Sequence, residues 1–191
     1  LWIVQELKRE WDAAGQSLSY SEMVELAEAA DPFRSLINPN DPRFVSPGGM
    51  SQRIIDFCKE THQLTPETPG QFVRCALESL ALLYRVTLKQ LESLAGESID
   101  QLHVFGGGCQ NRALNQWTAN ATGIPVLAGP VEATALGNMM TQAIALGDLP
   151  TWEAGRESIG KSFPVEFCNP KDMDLWKSEA ERFAGLLEQR A

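Results

Sequence analysis

Residues 102–147 constrain the fold more than any other part of the chain, because the spacing of apolar residues there switches from strand to helix and repeats the switch. Leu102, Val104 and Phe105 read as a short strand that runs into Gly106, Gly107 and Gly108. Residues 111–122 (NRALNQWTANAT) return to helical spacing, and Gly123 stops them. IPVLAG then reads as a second short strand and residues 132–147 (EATALGNMMTQAIALG) as a further helix. Strand, helix, strand, helix in so short a space is the mark of a parallel α/β unit with a right-handed crossover. Gly137, in the middle of the last helix, costs roughly 1 kcal/mol relative to Ala. It is expected to let that helix lie close to a ligand or to another backbone.

The rest of the chain reads mainly as helix. Leu1, Val4, Leu7 and Trp11 recur at three- and four-residue intervals, which predicts an amphipathic helix over residues 1–14 that ends near Gly15. A second helix follows from a cap at Ser19 or Ser21 through Ala30. Residues 31–50 carry Pro32, Pro39, Pro42, Pro47 and the pair Gly48 and Gly49, a density of breakers that forbids helix and predicts a long ordered loop. Asp41 and Arg43 within it resemble a catalytic acid and a phosphate clamp, but in such a loop they read as structural. A helix over residues 51–62 precedes a Pro-rich turn and a long helix over about 70–95. Between Cys75 and Leu88 its only strongly polar side chains are Glu78, Ser79, Arg85 and Thr87, so it is expected to be buried on most of its circumference, against a sheet. Beyond residue 150 come a short helix over about 151–158, an irregular segment with Pro164 and Pro170, and a charged helix over about 171–189.

Composition narrows the function. A formal charge of -9 argues against a nucleic-acid or anionic-membrane surface, which needs clustered Lys and Arg. No apolar run approaches the roughly 18 residues of a membrane span. Cys58, Cys75, Cys109 and Cys168 show neither C-x-x-C pairing nor metal-ligand spacing with His62 or His103, and read as buried, reduced thiols of a cytoplasmic protein. Cys58 and Cys75 lie on consecutive helices, so a disulfide between them is geometrically possible, although a reducing compartment disfavours it. Asn120-Ala121-Thr122 matches a glycosylation acceptor, read here as chance.

Two glycine motifs compete as a phosphate site. Residues 155–162 match G-x-x-x-x-G-K-S in full, but a P-loop needs a strand before the glycines and a helix starting at the Lys-Ser pair. Pro150 precedes this match closely and Pro164 follows it, so neither flank fits. The turn at 106–108 has the flanks that the other lacks: a strand before, and a helix after with Asn111 placed as its N-cap. Glycines at the carboxyl end of a parallel strand allow a tight turn and a close ligand approach, so either a nucleotide or phosphorylated ligand lies here or the turn is tight with nothing bound. AGPVEATALGN, residues 128–138, is expected to open on the same edge of the sheet.

VFGGGCQNRALNQ, NATGIPV and AGPVEATALGN together resemble the carboxyl-terminal lobe of the FGGY carbohydrate kinases. Within that family, GGGCQN with Asn115 and Gln116, Asn138 after the glycine, LINPNDPRFVSPGGM and SLALLYR are most similar to the branch acting on L-rhamnulose. The resemblance runs from LWIVQEL to about Leu149. It implies that residues 1–191 form one nucleotide-binding lobe of the actin-like (ribonuclease H-like) ATPase fold, an α/β domain lacking its first antiparallel strands. The chain begins at Leu1 inside a helical pattern, and the expectation is a fragment whose amino-terminal lobe lies elsewhere in the same enzyme.

The activity implied is transfer of the ATP γ-phosphoryl group to the 1-hydroxyl of L-rhamnulose, with ATP and Mg2+ required and the ketose held between two lobes. The resemblance puts the catalytic Asp in the amino-terminal lobe, so no catalytic residue is expected here and the fragment alone is expected to be inactive. Carried over by position, Gln5 and Gly107 are implied to touch the nucleotide, with Gly106 and Asn111 as neighbours. The alternatives are an FGGY kinase for fuculose, xylulose or glycerol, a P-loop NTPase using Lys161, and a non-catalytic actin-like binding module.

Overall fold

The computed structural model describes residues 1–188. Two helices open it, α1 (Trp2–Ala13) and α2 (Tyr20–Ala29). Ser19 is the cap of α2: its side chain accepts from the Glu22 N–H while Glu22 accepts from the Ser19 N–H, a capping box that satisfies two otherwise orphaned donors. The segment to residue 49 is the loop that its prolines predict, relieved only by a 3-10 turn at Pro42–Phe44. Asp41 caps that turn through the Arg43 N–H at 2.9 Å, and Arg43 pairs with both Asp41 and Glu60, so both residues serve the loop. Glu6 and Glu10 of α1 accept backbone N–H groups of Gly48 and Ser51, tying the loop to the start of α3 (Met50–Glu60).

The long helix α4 (Pro69–Ala95) starts with a second capping box, Thr68 with Gln71, and stops at left-handed Gly96. It is buried as expected but not against the sheet. Its flanks pack on α1, α2, α5 (Arg112–Thr122) and α8 (Met173–Glu188), and α5 is the element between it and the strands. Two of the polar residues that the sequence shows on α4 serve the loop: Glu78 accepts from the Phe33 N–H at 2.8 Å, and the Ser79 hydroxyl accepts from the Ile37 N–H at 2.9 Å. Arg85 donates instead to the Ala121 carbonyl of α5 at 2.6 Å. Arg74 donates to the Ala27, Glu28 and Ala30 carbonyls at the carboxyl end of α2.

Among the described residues the sheet has three short strands. β1 (Leu102–Val104) pairs in parallel with β2 (Val126–Ala128), the α/β unit predicted from the periodicity. β3 (Glu166–Cys168) adds antiparallel to β2 within the segment predicted to be irregular. It is illegible in the sequence because it is three residues long between two prolines and leaves Phe167 exposed. Helices α6 (Ala133–Leu146) and α7 (Trp152–Ser162) connect β2 to β3. The main core joins α1–α5 to α8, with Leu7, Phe44, Phe57, Leu77 and Phe183 among its fully buried members. A smaller cluster of Ala119, Val126 and Cys168 lies between α5 and the sheet. All four cysteines are buried free thiols. Cys75 beside Cys58 holds its proton well above the usual thiol range, through its hydrogen bond to Cys58 and its burial. Asn120 is buried and accepts from Gln116 and from the Lys171 N–H, which makes it structural. Among the described residues no helix is long and apolar enough to cross a membrane.

Candidate functional site

The chain leaves β1 at Val104 and must reverse into α5 within a few residues, and Gly106 makes this possible. Its φ of 75° and ψ of -168° belong to a region essentially closed to residues with a Cβ. Residues Gly107–Gln110 then form one 3-10 turn. The Cys109 N–H donates to the Gly106 carbonyl at 3.0 Å, and the Asn115 amide donates to the Cys109 carbonyl at 2.7 Å from within the buried face of α5. Asn111 caps α5, its Oδ1 accepting from the Leu114 N–H at 2.9 Å, as the sequence predicts. Burial pushes the Cys109 thiol up, so it stays a protonated part of the turn.

Beside this turn lies a cavity of about 640 Å³ to which three separate parts of the chain contribute. From α1 come Leu1, Val4 and Gln5; from α2, Tyr20, Ser21 and Val24; from the turn, Gly107, Gly108, Gln110, Asn111 and Arg112. Gln5, Gly107 and Asn111 therefore meet at one place although more than a hundred positions separate the first from the other two. Gly106 does not line the cavity; it shapes the turn from behind. A methyl group added at Gly107 would meet nothing within 4 Å, so the backbone there is open to an incoming ligand. Arg112 is the one cationic side chain of the lining among the described residues, 3.6 Å from Glu166 at the start of β3.

Other expected features lie elsewhere. None of residues 128–138 lines the cavity. A methyl group added at Gly137 would also meet nothing within 4 Å, so close packing on another backbone is not what its missing side chain provides. The P-loop reading is overturned: residues 155–162 lie within α7, Gly155 packs against Met140, and exposed Lys161 pairs with Glu157. A helix offers no concave row of N–H groups to a phosphate. The α2 contribution escapes the motifs; the available signal is Tyr20 and Val24, four apart and so on one helix face. Among the described residues no three His, Cys, Asp or Glu side chains converge on a metal site, so this lobe supplies no such cluster to the Mg2+ that the resemblance implies.

Fold and turn together define the class: an α/β lobe with a glycine turn between a parallel strand and a capped helix. Solved structures share it over nearly the whole chain. The xylulose kinase from Rhodospirillum rubrum superposes with a TM-score of 0.65 at 19% identity, covering 98% of this chain and 37% of that one. The ligand-bound xylulose kinase from Lactobacillus acidophilus gives 0.61 at 14% identity over the same shares. The sequence model of the FGGY family of carbohydrate kinases, C-terminal domain, matches residues 1–146, and the chain belongs to that family. It is similar to the rhamnulokinase of Bacteroides thetaiotaomicron, 46% identical over 176 residues, covering 92% of this chain and 36% of the relative. The rhamnulokinase of Enterococcus faecalis is 44% identical over 179 residues, with 92% and 36% covered. The chain thus spans roughly a third of the length of these curated relatives.

Proposed function

We propose that this chain is the nucleotide-binding lobe of a cytoplasmic kinase that transfers the γ-phosphoryl group of ATP to the 1-hydroxyl of L-rhamnulose. The observation that carries the reading is the convergence of Gln5, Gly107 and Asn111 on one cavity beside an open glycine turn. Phosphoryl transfer asks the protein chiefly for positioning and charge stabilisation. The part assigned to these residues is to seat the nucleotide: Gly107 by the absence of a side chain, Asn111 by its remaining amide donors, Gln5 by an amide with no hydrogen-bond partner among the described residues. Gly106 holds the turn in place for them. The catalytic carboxylate, the sugar contacts and the ligands of Mg2+ are assigned to the remainder of the enzyme. The choice of L-rhamnulose rests on the names and identity of the relatives.

The test is made on the protein expressed from its complete reading frame. It should phosphorylate L-rhamnulose in preference to fuculose, xylulose and glycerol with ATP as donor. Preference for another of these sugars would replace the substrate, and absence of transfer to all of them together with absence of ATP binding would overturn the reading. Lys161→Ala should leave turnover unchanged, since Lys161 only pairs along a helix.

A further inference from the structure

The side of the cavity formed by α2 carries a feature that the family resemblance does not supply. Tyr20 is half-exposed on the first turn of α2 and lines the cavity together with Val24, one turn on, and Val4 of α1. The Tyr20 hydroxyl has no hydrogen-bond partner among the described residues, and the contact that its side chain makes is through the ring. Lys8, which does not line the cavity, sits over the ring with Nζ 5.8 Å from its centre. That lysine is itself held by Asp12 at 3.0 Å and by the Leu18 carbonyl at 2.6 Å. The ring is thus supported by a fixed neighbour and open to the cavity.

The charge distribution says which part of a nucleotide belongs there. Tyr20, Val4 and Val24 are uncharged, and the one cationic side chain of the lining among the described residues, Arg112, is at the start of α5 on the turn side. On the α2 side the lining offers a triphosphate no cationic side chain and a single hydroxyl, that of Ser21, which already donates to Glu25, whereas a flat ring with an apolar face gains from an aromatic surface and from two β-branched side chains. We infer that Tyr20 is the surface on which the nucleobase stacks, making it a positioning residue for the nucleotide contributed by α2. This rests on the reading of the cavity as the ATP site.

The experiment measures ATP affinity by calorimetry in the protein from its complete reading frame, for the parent, Tyr20→Ala, Tyr20→Leu, Tyr20→Phe and Gly107→Val. Loss of a base stack weakens ATP by about fivefold or more in Tyr20→Ala and in Tyr20→Leu, the second keeping apolar bulk without a flat ring, while Tyr20→Phe stays within about twofold. The nucleotide-free unfolding midpoint should be the same for Tyr20→Leu and Tyr20→Phe, which separates stacking from a structural role. If Tyr20→Ala and Tyr20→Leu bind ATP like the parent while Gly107→Val weakens it, the base lies elsewhere and the inference fails with the site intact. Should Gly107→Val also bind normally, the nucleotide does not sit on this turn and the reading beneath the inference fails too. A Tyr20→Phe variant as weak as Tyr20→Ala would overturn stacking in favour of the hydroxyl.

Discussion

At the glycine turn two neighbouring residues do different jobs, and one added methyl group separates them. At Gly106 the space is open but the backbone, at φ 75° and ψ -168°, is not one that an L side chain adopts. Gly106→Ala should therefore cost about 1–3 kcal/mol of folding stability through strain alone, read by urea unfolding. Gly107 has no such φ and no neighbour to clash with, so Gly107→Ala should unfold like the parent and show its effect only in weaker ATP binding. Equal stability losses in both variants would contradict this division. Glu78 is the other residue whose environment has a measurable signature. It is wholly buried, and burial pushes its carboxyl up to about 7 although Arg74 at 2.7 Å and the Phe33 N–H at 2.8 Å both favour the charged form. A folded pKa above the unfolded one favours folding while the group is protonated, fully below about pH 4.5, and this contribution is lost as pH rises through about 7. The stability difference between the parent and Glu78→Gln should therefore shift against the parent by up to about 3 kcal/mol from pH 4.5 to pH 8. A difference that does not change with pH would show that Arg74 keeps Glu78 ionised throughout.

Among the elements, α5 links site to fold. Its first residue presents Arg112 to the cavity, its cap Asn111 lines the cavity, and its body is buried between α4 and the sheet. Removing the cap in Asn111→Ala should cost about 1 kcal/mol and weaken ATP binding, whereas Asn111→Asp should retain the stability because a carboxylate caps equally well. If Asn111→Asp unfolds as readily as Asn111→Ala, the cap is not what Asn111 contributes. This helix also shows why sequence reading succeeds where it does. Its signals are local: a stop at three glycines, a capping residue, a helical period and a terminating Gly123 with φ 78°. The context of α4 is not local. Its few polar residues suggest a sheet neighbour, yet Glu78 and Ser79 are satisfied by backbone N–H groups at 33 and 37, contacts more than forty positions away. β3 fails for the opposite reason, being too short to show a period at all. Of the site, Gln5, Gly107 and Asn111 are legible through resemblance, and Tyr20 and Ser21 are not, because α2 carries no motif and shares the cavity only once it is folded against α4.

The whole molecule closes on itself through a helix outside the matched part of the family model. That match ends at residue 146, but α8 carries Trp176, Phe183 and Leu186 into the same core as α1 and α4. Trp176 meets Phe33 edge to face at 4.7 Å, and Arg182 donates to the Phe33 carbonyl at 2.8 Å and to Gln63 at 2.6 Å. Gln63 in turn holds both the N–H and the carbonyl of Leu36, so α8 pins the Pro-rich loop, which is itself tied to α1 through the Gly48 N–H and Glu6. Phe183 has no exposed surface, and Phe183→Ala should cost about 3–5 kcal/mol, a large part of the roughly 5–15 kcal/mol that holds a domain together. If α8 were an appendage, the variant would lose helix signal locally and keep the main unfolding transition. Membership of the common core demands instead a single transition displaced as a whole to lower denaturant. In the protein from its complete reading frame, that transition should move upward again when ATP is added, since a ligand bound only by the folded form stabilises all that folds with its site. A Phe183→Ala transition that stays where the parent's lies, with or without ATP, would separate α8 from the core of α1–α5.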